Sequence, residues 1–529
     1  MLRLDKRLSL ALPALAAFVA HARALGGEYL WLDHTHLEQR AALAAPADWL
    51  SLFQQGFAGT GFYRPLTALS FSLDAALWGT PFGYRFVTLA WHALAATMTS
   101  LAARRLGGLS PRAALVAGLI VAIHPAGSLV ADAIAFRSES MIAVFLLGLV
   151  IAHLARKPWL AALALAAGSL TKETAFVLGP LLIFALEVRE AFSSVGPSRP
   201  LRARASLYAA ELAALLLTGV LRLTYAPHWR APFPALTFNE QLGTRLAAFA
   251  RSSALLLVPI DGTVCDASAV VPLTNVTALL GLGGLALLAY VVHRERTIAP
   301  LFALALLPSL NLVPVMRFWS PHYLYVPLTF GAMLAAKAFD RYERVLSPVA
   351  VAAGAGWLFL SFSQAGRYLN DAALFRPEVA RRPECREAQF FLGEVARLEK
   401  DWETAARRYE AAIQSDPSIL AYVDRGAALQ NLGAARFAQN RFVEAERAWT
   451  QALELSRDPG QQRRLRSNLG AATLRAGHPA ATVRLLADDV TGPDALPESI
   501  FLMATALRKL GHEREARAVL QRYQIAAQR

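Results

Sequence analysis

Apolar runs long enough, or nearly long enough, to cross a bilayer alternate with short polar breaks over the first two-thirds of this chain. A membrane-crossing helix needs about 20 such residues. The runs lie near residues 8–25, 85–103, 112–131, 139–155, 158–172, 174–188, 206–224, 273–292, 299–316, 322–338 and 346–363. Cationic breaks orient them, because cytoplasmic loops are enriched in Lys and Arg. Arg3, Lys6 and Arg7 precede the first run, and Arg104 and Arg105 follow the second. Arg156 and Lys157 follow the fourth, and Arg189, Arg199, Arg202 and Arg204 the sixth. His293, Arg294 and Arg296 follow the eighth, and Lys337, Arg341 and Arg344 the tenth. All fall on one side if residues 242–260, which carry Arg245 and Arg251, form a re-entrant or interface-lying helix. About eleven crossings then leave the C-terminal part outside the cytoplasm. The first run reads as a retained helix rather than a signal peptide, since no convincing cleavage site precedes Asp33.

From Ala388 the pattern changes to paired amphipathic helices. Leu392-Gly393, Ala405, Tyr409, Ala412 and Pro417 fit one tetratricopeptide repeat of about 34 residues. Leu432-Gly433, Ala445, Trp449 and Ala452 form a second copy. Leu469-Gly470 with Gly477 begins a third, and Gly511, Ala516 and Leu520 mark a partial fourth. Such solenoids present a concave surface to extended peptides or other proteins. The expected organisation is all-α: a multi-pass transmembrane domain over residues 1–365, a polar connector with Pro377 and Pro383 over 366–387, and a tetratricopeptide-repeat solenoid over 388–529.

Composition supports a membrane protein. Of 529 residues, 55% are hydrophobic and 17% charged, well below the roughly 25% charged residues of a soluble domain. The mean hydropathy is +0.36. The net charge of +14 follows the polar breaks and the C-terminal part. No nucleic-acid motif accompanies it, so no nucleic-acid partner is expected. Cys265 and Cys385 lie far apart and have no metal-type spacing; a single disulfide is compatible with them.

Candidate chemistry sits where apolar runs meet water on the non-cytoplasmic side. Asp33, His34 and His36 follow the first run, and ionisable groups at such a boundary are functional candidates. The loop from Gly26 to Gly83 is long for a compact domain, which points to function. Within it, Pro65 suits a helix first turn. Leu66, Leu69, Leu73 and Leu77 then share one face of a short helix over 65–78 that suits the membrane surface. Asp74 lies beside that face, as a solvated side chain or a catalytic one. Arg64, at its start, suits a phosphate or a lipid headgroup. His124-Pro125, Arg137-Ser138-Glu139 and Lys172-Glu173 mark further ends on the same side, and Arg317 to Pro327 adds Arg317, His322 and Tyr323. Lys172 and Glu173 point about 100° apart on a helix and should find different partners. His92 is the main ionisable residue within a run. A lipid-linked phosphate donor would need this set: cations for the leaving group and a carboxylate to activate a hydroxyl.

These residues, in this order, resemble the transmembrane-and-tetratricopeptide protein O-mannosyltransferases, within the GT-C glycosyltransferase fold. The resemblance rests on Asp33-His34, Tyr63-Arg64-Pro65-Leu66, Leu77-Trp78-Gly79, Gly83-Tyr84-Arg85, His92, His124-Pro125, Arg137-Ser138-Glu139, Lys172-Glu173 and Pro321-His322-Tyr323-Leu324-Tyr325-Val326-Pro327. It implies sugar transfer, of mannose or a similar hexose, from a polyprenyl phosphate sugar to a hydroxyl acceptor such as Ser or Thr of a protein. Asp33 would be the base, with His34 in the place of the family's second acidic residue. Arg137, Lys172 and His322 would handle the donor phosphate, His322 standing where the family has an arginine. The resemblance implies no cofactor and no metal site; the sequence neither requires nor excludes a divalent metal. Ala- and Arg-rich usage suggests a bacterial inner membrane, with the repeats periplasmic and capturing an acceptor protein. The alternative is a non-catalytic membrane scaffold that recruits partners through its repeats. A transporter would carry charged or broken helices near the bilayer midplane, whereas here most ionisable groups sit at run ends.

Overall fold

A computed structural model describes residues 6–193, 204–226, 235–313, 315–492 and 494–527; Arg3, Arg199 and Arg202 lie outside the described residues. The described chain is almost entirely helical, the strands being two three-residue segments, Ala267–Ala269 and Ile419–Ala421. It divides into two compact units. The first is Met1–Leu374 with Ser418–Leu420; the second is Phe375–Pro417 with Ala421–Arg529.

The first unit contains α1 (Lys6–His21), α2 (Pro65–Leu77), α3 (Pro81–Gly107), α4 (Pro111–Ile123), α5 (Ser128–Asp132), α6 (Arg137–Leu154), α7 (Pro158–Thr171), α8 (Thr174–Ser193), α9 (Ala205–Tyr225), α10 (Phe238–Leu257), α11 (Val276–Arg294), α12 (Ala299–Ala305), α13 (Tyr325–Arg341) and α14 (Glu343–Ala365). Five described helical stretches are long and apolar enough to cross a membrane: α3, Ile134–Leu154, α9, α11 and Glu343–Leu369. A sixth is α4 with its continuation Pro125–Asp132, bent by 53°. The bend follows from Pro125, which offers no N–H and biases His124 towards extended backbone. The expected run at 299–316 is not one helix. Helix α12 stops at Ala305, a 3₁₀ turn covers Leu307–Leu310, and Asn311 is left-handed at φ 49°. Pro308 withdraws a donor in that turn. Helix α10, over the segment expected not to span, turns its arginines into the protein. Arg245 Nε donates to the Asn311 carbonyl (3.3 Å), and the Arg251 guanidinium lies 3.4 Å from the Trp319 ring centroid.

Small residues dominate the first unit's core. Ala17, Ala20, Ala93, Ala96, Ala122 and Ala332 pack with Val121 and Leu328, which lets helix backbones approach closely. Meanwhile Leu223, Leu280, Leu287 and Phe359 face outward, the inverse of a water-soluble bundle. Helix α2 shows the same inversion. Its buried face is Thr67, Ala68, Phe71, Ser72 and Asp74, while Leu73 and Leu77 are exposed. The loop carrying α2 has its own core of Leu37, Leu52, Phe57, Phe71, Tyr84 and Ile134.

The supposed connector at 366–387 is ordered structure. A 3₁₀ turn covers Gly366–Leu369, α15 covers Asp371–Arg381, and the unit boundary falls at Leu374. The second unit continues with α16 (Arg386–Leu398), α17 (Trp402–Ile413), α18 (Arg425–Ala438), α19 (Phe442–Leu455), α20 (Pro459–Arg475), α21 (Pro479–Leu486), α22 (Pro497–Lys509) and α23 (Glu513–Ala527). From α16 onward each helix packs on the next. Glycines set the approach. A Cβ on Gly393 would lie 2.6 Å from Tyr409, on Gly433 2.5 Å from Trp449, and on Gly470 3.0 Å from Leu486. Tyr409 and Trp449 are pinned, the first by its hydroxyl to Glu394 and the second by its indole N–H to the Gln430 carbonyl (2.9 Å).

Candidate functional site

Asp33 follows α1 in a turn that the rest of the first unit holds closed. The chain can enter that turn because Gly27 has no side chain: a Cβ there would sit 2.7 Å from the Arg85 guanidinium carbon and the Tyr368 carbonyl. Arg85, from α3, donates to the carbonyls of Glu28 (2.5 Å) and Asp132 (2.8 Å). Asp33 is fully buried, which corrects the picture of an open boundary cluster. One of its carboxylate oxygens accepts the Ala135 N–H (2.9 Å) and the other the Leu30 N–H (3.3 Å). Burial raises the Asp33 carboxyl to about 6, against the opposing pull of Arg85, the two backbone donors and His34.

His34 bridges two carboxylates. Its Nδ1 lies 2.6 Å from Glu38 and its Nε2 2.9 Å from Asp371. Burial works against its charged form, but these partners outweigh it and raise the imidazole to about 9. Asp371 also accepts the Trp31 N–H at 2.7 Å. Trp31 holds φ at +56°, a conformation rare for a bulky side chain. His36, by contrast, is lowered to about 4, first by burial and then by Arg64 and Arg317. It is neutral at physiological pH.

A second cluster lies across one aromatic ring. Phe136 packs against both Trp31 (5.0 Å) and His322 (4.9 Å). Lys172 pairs with Glu139, and His322 Nε2 lies 3.6 Å from the same carboxylate. His322 Nδ1 is 2.6 Å from the Ser320 hydroxyl, and the Tyr323 hydroxyl donates to the Arg317 carbonyl (2.9 Å). Asp266 fixes this segment by accepting the N–H groups of Phe318 (2.8 Å) and Trp319 (2.9 Å). A third cluster adjoins it. Arg64 clasps Glu173 through Nε (3.0 Å) and Nη2 (2.9 Å), and Glu173 also accepts the Tyr63 N–H. Arg222 stands 3.7 Å from Glu173. Lys172 and Glu173 take different partners, but not as helical neighbours: they form the break between α7 and α8, with Lys172 in extended backbone.

The remaining candidates are internal cross-links. Arg137, fully buried, meets Asp74 (2.5 Å), the Thr88 hydroxyl (2.9 Å) and the Tyr84 carbonyl (2.6 Å). Its guanidinium is therefore not an open phosphate ligand in this conformation. Asp74 is ion-paired, not solvated; burial raises its carboxyl, opposed by Arg137. His92 bonds the Tyr325 hydroxyl (2.7 Å) and faces the Ala122 carbonyl. His124 caps the α4 break by accepting the Ala126 N–H (3.2 Å) and meets the Leu256 carbonyl. Sequence reasoning missed Asp371 and the buried pair of His21 and Asp132 (2.8 Å). Asp371 gave no signal, being 337 positions from His34. Among the described residues no group of three or more His, Cys, Asp or Glu side chains is arranged to hold a metal, and no cysteine is a free thiol.

No protein-family profile matches this chain, and no curated protein matches it.

Proposed function

We propose that this chain is an integral-membrane glycosyltransferase of the GT-C type. It moves a sugar, mannose or a similar hexose, from a polyprenyl phosphate sugar to a hydroxyl of Ser or Thr on a protein, at the non-cytoplasmic face of a bacterial inner membrane. One observation carries this reading. A buried carboxylate, Asp33, and the cation-bearing cluster Lys172–Glu139–His322 meet at the turn Ile134–Phe136, and a second cluster, Arg64–Glu173–Arg222, joins the first through the adjacent Lys172 and Glu173, six separate stretches of sequence in all. In the proposed step Asp33 takes the acceptor proton as the hydroxyl oxygen attacks the anomeric carbon. The bond from that carbon to the phosphate oxygen breaks, and Lys172 and Arg64 stabilise the departing phosphate. Because Asp33 has no exposed surface, an acceptor reaches it only when the residues around it move aside.

The first unit then crosses the membrane about eleven times. The second unit is a tetratricopeptide-repeat solenoid, supported by the glycine contacts at Gly393, Gly433 and Gly470, and it captures the acceptor protein outside the cytoplasm. The closure over Asp33 favours one other reading, a non-catalytic scaffold that recruits partners through its repeats. Purified protein in lipid nanodiscs, incubated with radiolabelled polyprenyl phosphate sugars, separates the two. Consumption of a donor that is lost on Asp33→Asn supports the transferase. No consumption of any donor supports the scaffold.

A further inference from the structure

Asp371 belongs to a stretch that reads as a connector, yet it is 7% exposed and closes on the turn that carries Asp33. One carboxylate oxygen accepts the Trp31 N–H at 2.7 Å, and the other meets His34 Nε2 at 2.9 Å. Next to these contacts the Glu28 N–H donates to the Leu369 carbonyl at 2.8 Å. The strained Trp31 backbone therefore has an external tether, and a non-glycine residue at positive φ persists only when its surroundings over-determine it.

We propose that Asp371 is a positioning residue for the Asp33 base: it clamps the Trp31–His34 turn and holds the His34 imidazolium beside the Asp33 carboxylate. The proposal rests on the transferase reading above and adds a residue to it. Two kinds of force run through the clamp. The Trp31 bond fixes the backbone two residues before Asp33, and so the direction of its carboxylate. The His34 bond keeps a positive charge adjacent to Asp33, which favours its ionised, proton-accepting form. The groups facing His34 are Glu38 from its own turn and Asp371 from the start of α15. Those facing Asp33 are Arg85 from α3, Arg137 from α6, Tyr29 and His34. Arg85 stays charged whatever happens at Asp371. Removing His34 should therefore shift the Asp33 equilibrium without abolishing it, whereas removing Asp371 should misplace the turn.

The test has two arms. In the first, kcat and KM for the donor are measured against pH for wild type, Asp371→Asn, His34→Gln and the double variant. Asp371→Asn should lower kcat roughly tenfold to a hundredfold, the scale of a misplaced reacting group, with KM for the donor unchanged. In His34→Gln, which removes the positive charge itself, the acid limb of the profile should move up by about half a pH unit or more; in Asp371→Asn, whose imidazole is still protonated near pH 6, it should not rise. The double variant should lose no more kcat than the worse single one, as expected for residues acting through one contact. An unmoved limb in His34→Gln, or kcat losses that add, would overturn the clamp. Asp371→Glu, which keeps the charge, should restore most of kcat and covers the case in which Asp371→Asn does not fold. The second arm needs no activity: ¹⁵N-histidine NMR follows the His34 ring. Wild type should release its proton near pH 9, and Asp371→Asn at least about one unit lower. If His34 behaves so while wild type consumes no donor, the clamp stands and the transferase reading fails. If His34 titrates alike in both proteins, the clamp fails whatever the activity.

Discussion

The two units bury opposite things. In the first, apolar side chains such as Leu223, Leu280 and Phe359 face outward, while Arg137, Asp33, Asp132 and His92 have almost no exposed surface. In the second, Ala405, Tyr409, Leu432, Ala445 and Trp449 fill the interior, and charges such as those of His512 and Glu515 stay at the surface. A membrane around the first unit and water around the second, as proposed above, account for the contrast. A unit surrounded by hydrocarbon gains nothing by hiding leucine and must instead hide and pair its ions. A unit surrounded by water gains from every apolar group it covers. Damage should therefore be ionic in the first unit and steric in the second.

The largest effect is expected at Arg137. Truncating one partner of a buried ion pair leaves the other charge uncompensated, at a cost of about 3–5 kcal/mol. Arg137→Ala should accordingly sharply reduce the yield of folded protein, as read by detergent size-exclusion. Pairing Arg137→Met with Asp74→Leu should restore folding; failure of this apolar pair to do better than Arg137→Ala would mean the ion pair is not what the first unit needs there.

Next comes Asp33→Asn, which should fold and insert yet turn over at least roughly a hundredfold more slowly, the scale for loss of a general base. In wild type the base works only when ionised. With the Asp33 carboxyl raised to about 6, kcat/KM should rise as pH increases through about 6. The same shift has a stability sign: a raised carboxyl binds its proton more tightly folded than unfolded, so its contribution to stability falls as pH rises from about 4 to about 6. An acid limb near 4, or an active Asp33→Asn variant, would remove Asp33 from the chemistry.

Third is Gly433→Ala. Its new Cβ would lie 2.5 Å from Trp449, whose indole is tethered to Gln430 and cannot easily give. Overpacking of this kind costs about 1–3 kcal/mol. Limited proteolysis on heating should cut the second unit earlier, while donor consumption by the first unit stays at the wild-type level. Unchanged protease resistance would show that the helix pair absorbs the extra methyl. The smallest effect is expected for Arg112→Ala. Its pair with Glu343 is 44% exposed on both sides, and such pairs contribute within about 1 kcal/mol. A large loss there would break the contrast between buried and exposed ions.

Much of the architecture was legible along the chain. Helix α9, expected at 206–224, spans Ala205–Tyr225, and the boundaries of α11 and α14 fall within a few residues of their apolar runs. Helix α12 was not legible, because composition alone does not register that Pro308 and the left-handed Asn311 break a continuous apolar run. The leucine face of α2 was legible from its spacing; that the opposite small and polar stripe, Asp74 included, turns inward was not.

The site divides the same way. The types of residue needed were visible because charges interrupting apolar runs stand out. Their pairing was not. By itself the sequence determined where helices form, which segments favour hydrocarbon, and which glycines recur ahead of a bulky partner, since these follow from length and from a periodicity of 3.6 residues. Only the tertiary structure decided that Lys172 meets Glu139, Glu173 meets Arg64, Arg137 meets Asp74 and Asp371 meets His34. An ion pair depends on a few ångströms of space between groups brought together from distant parts of the chain, and spacing along the chain does not encode that distance.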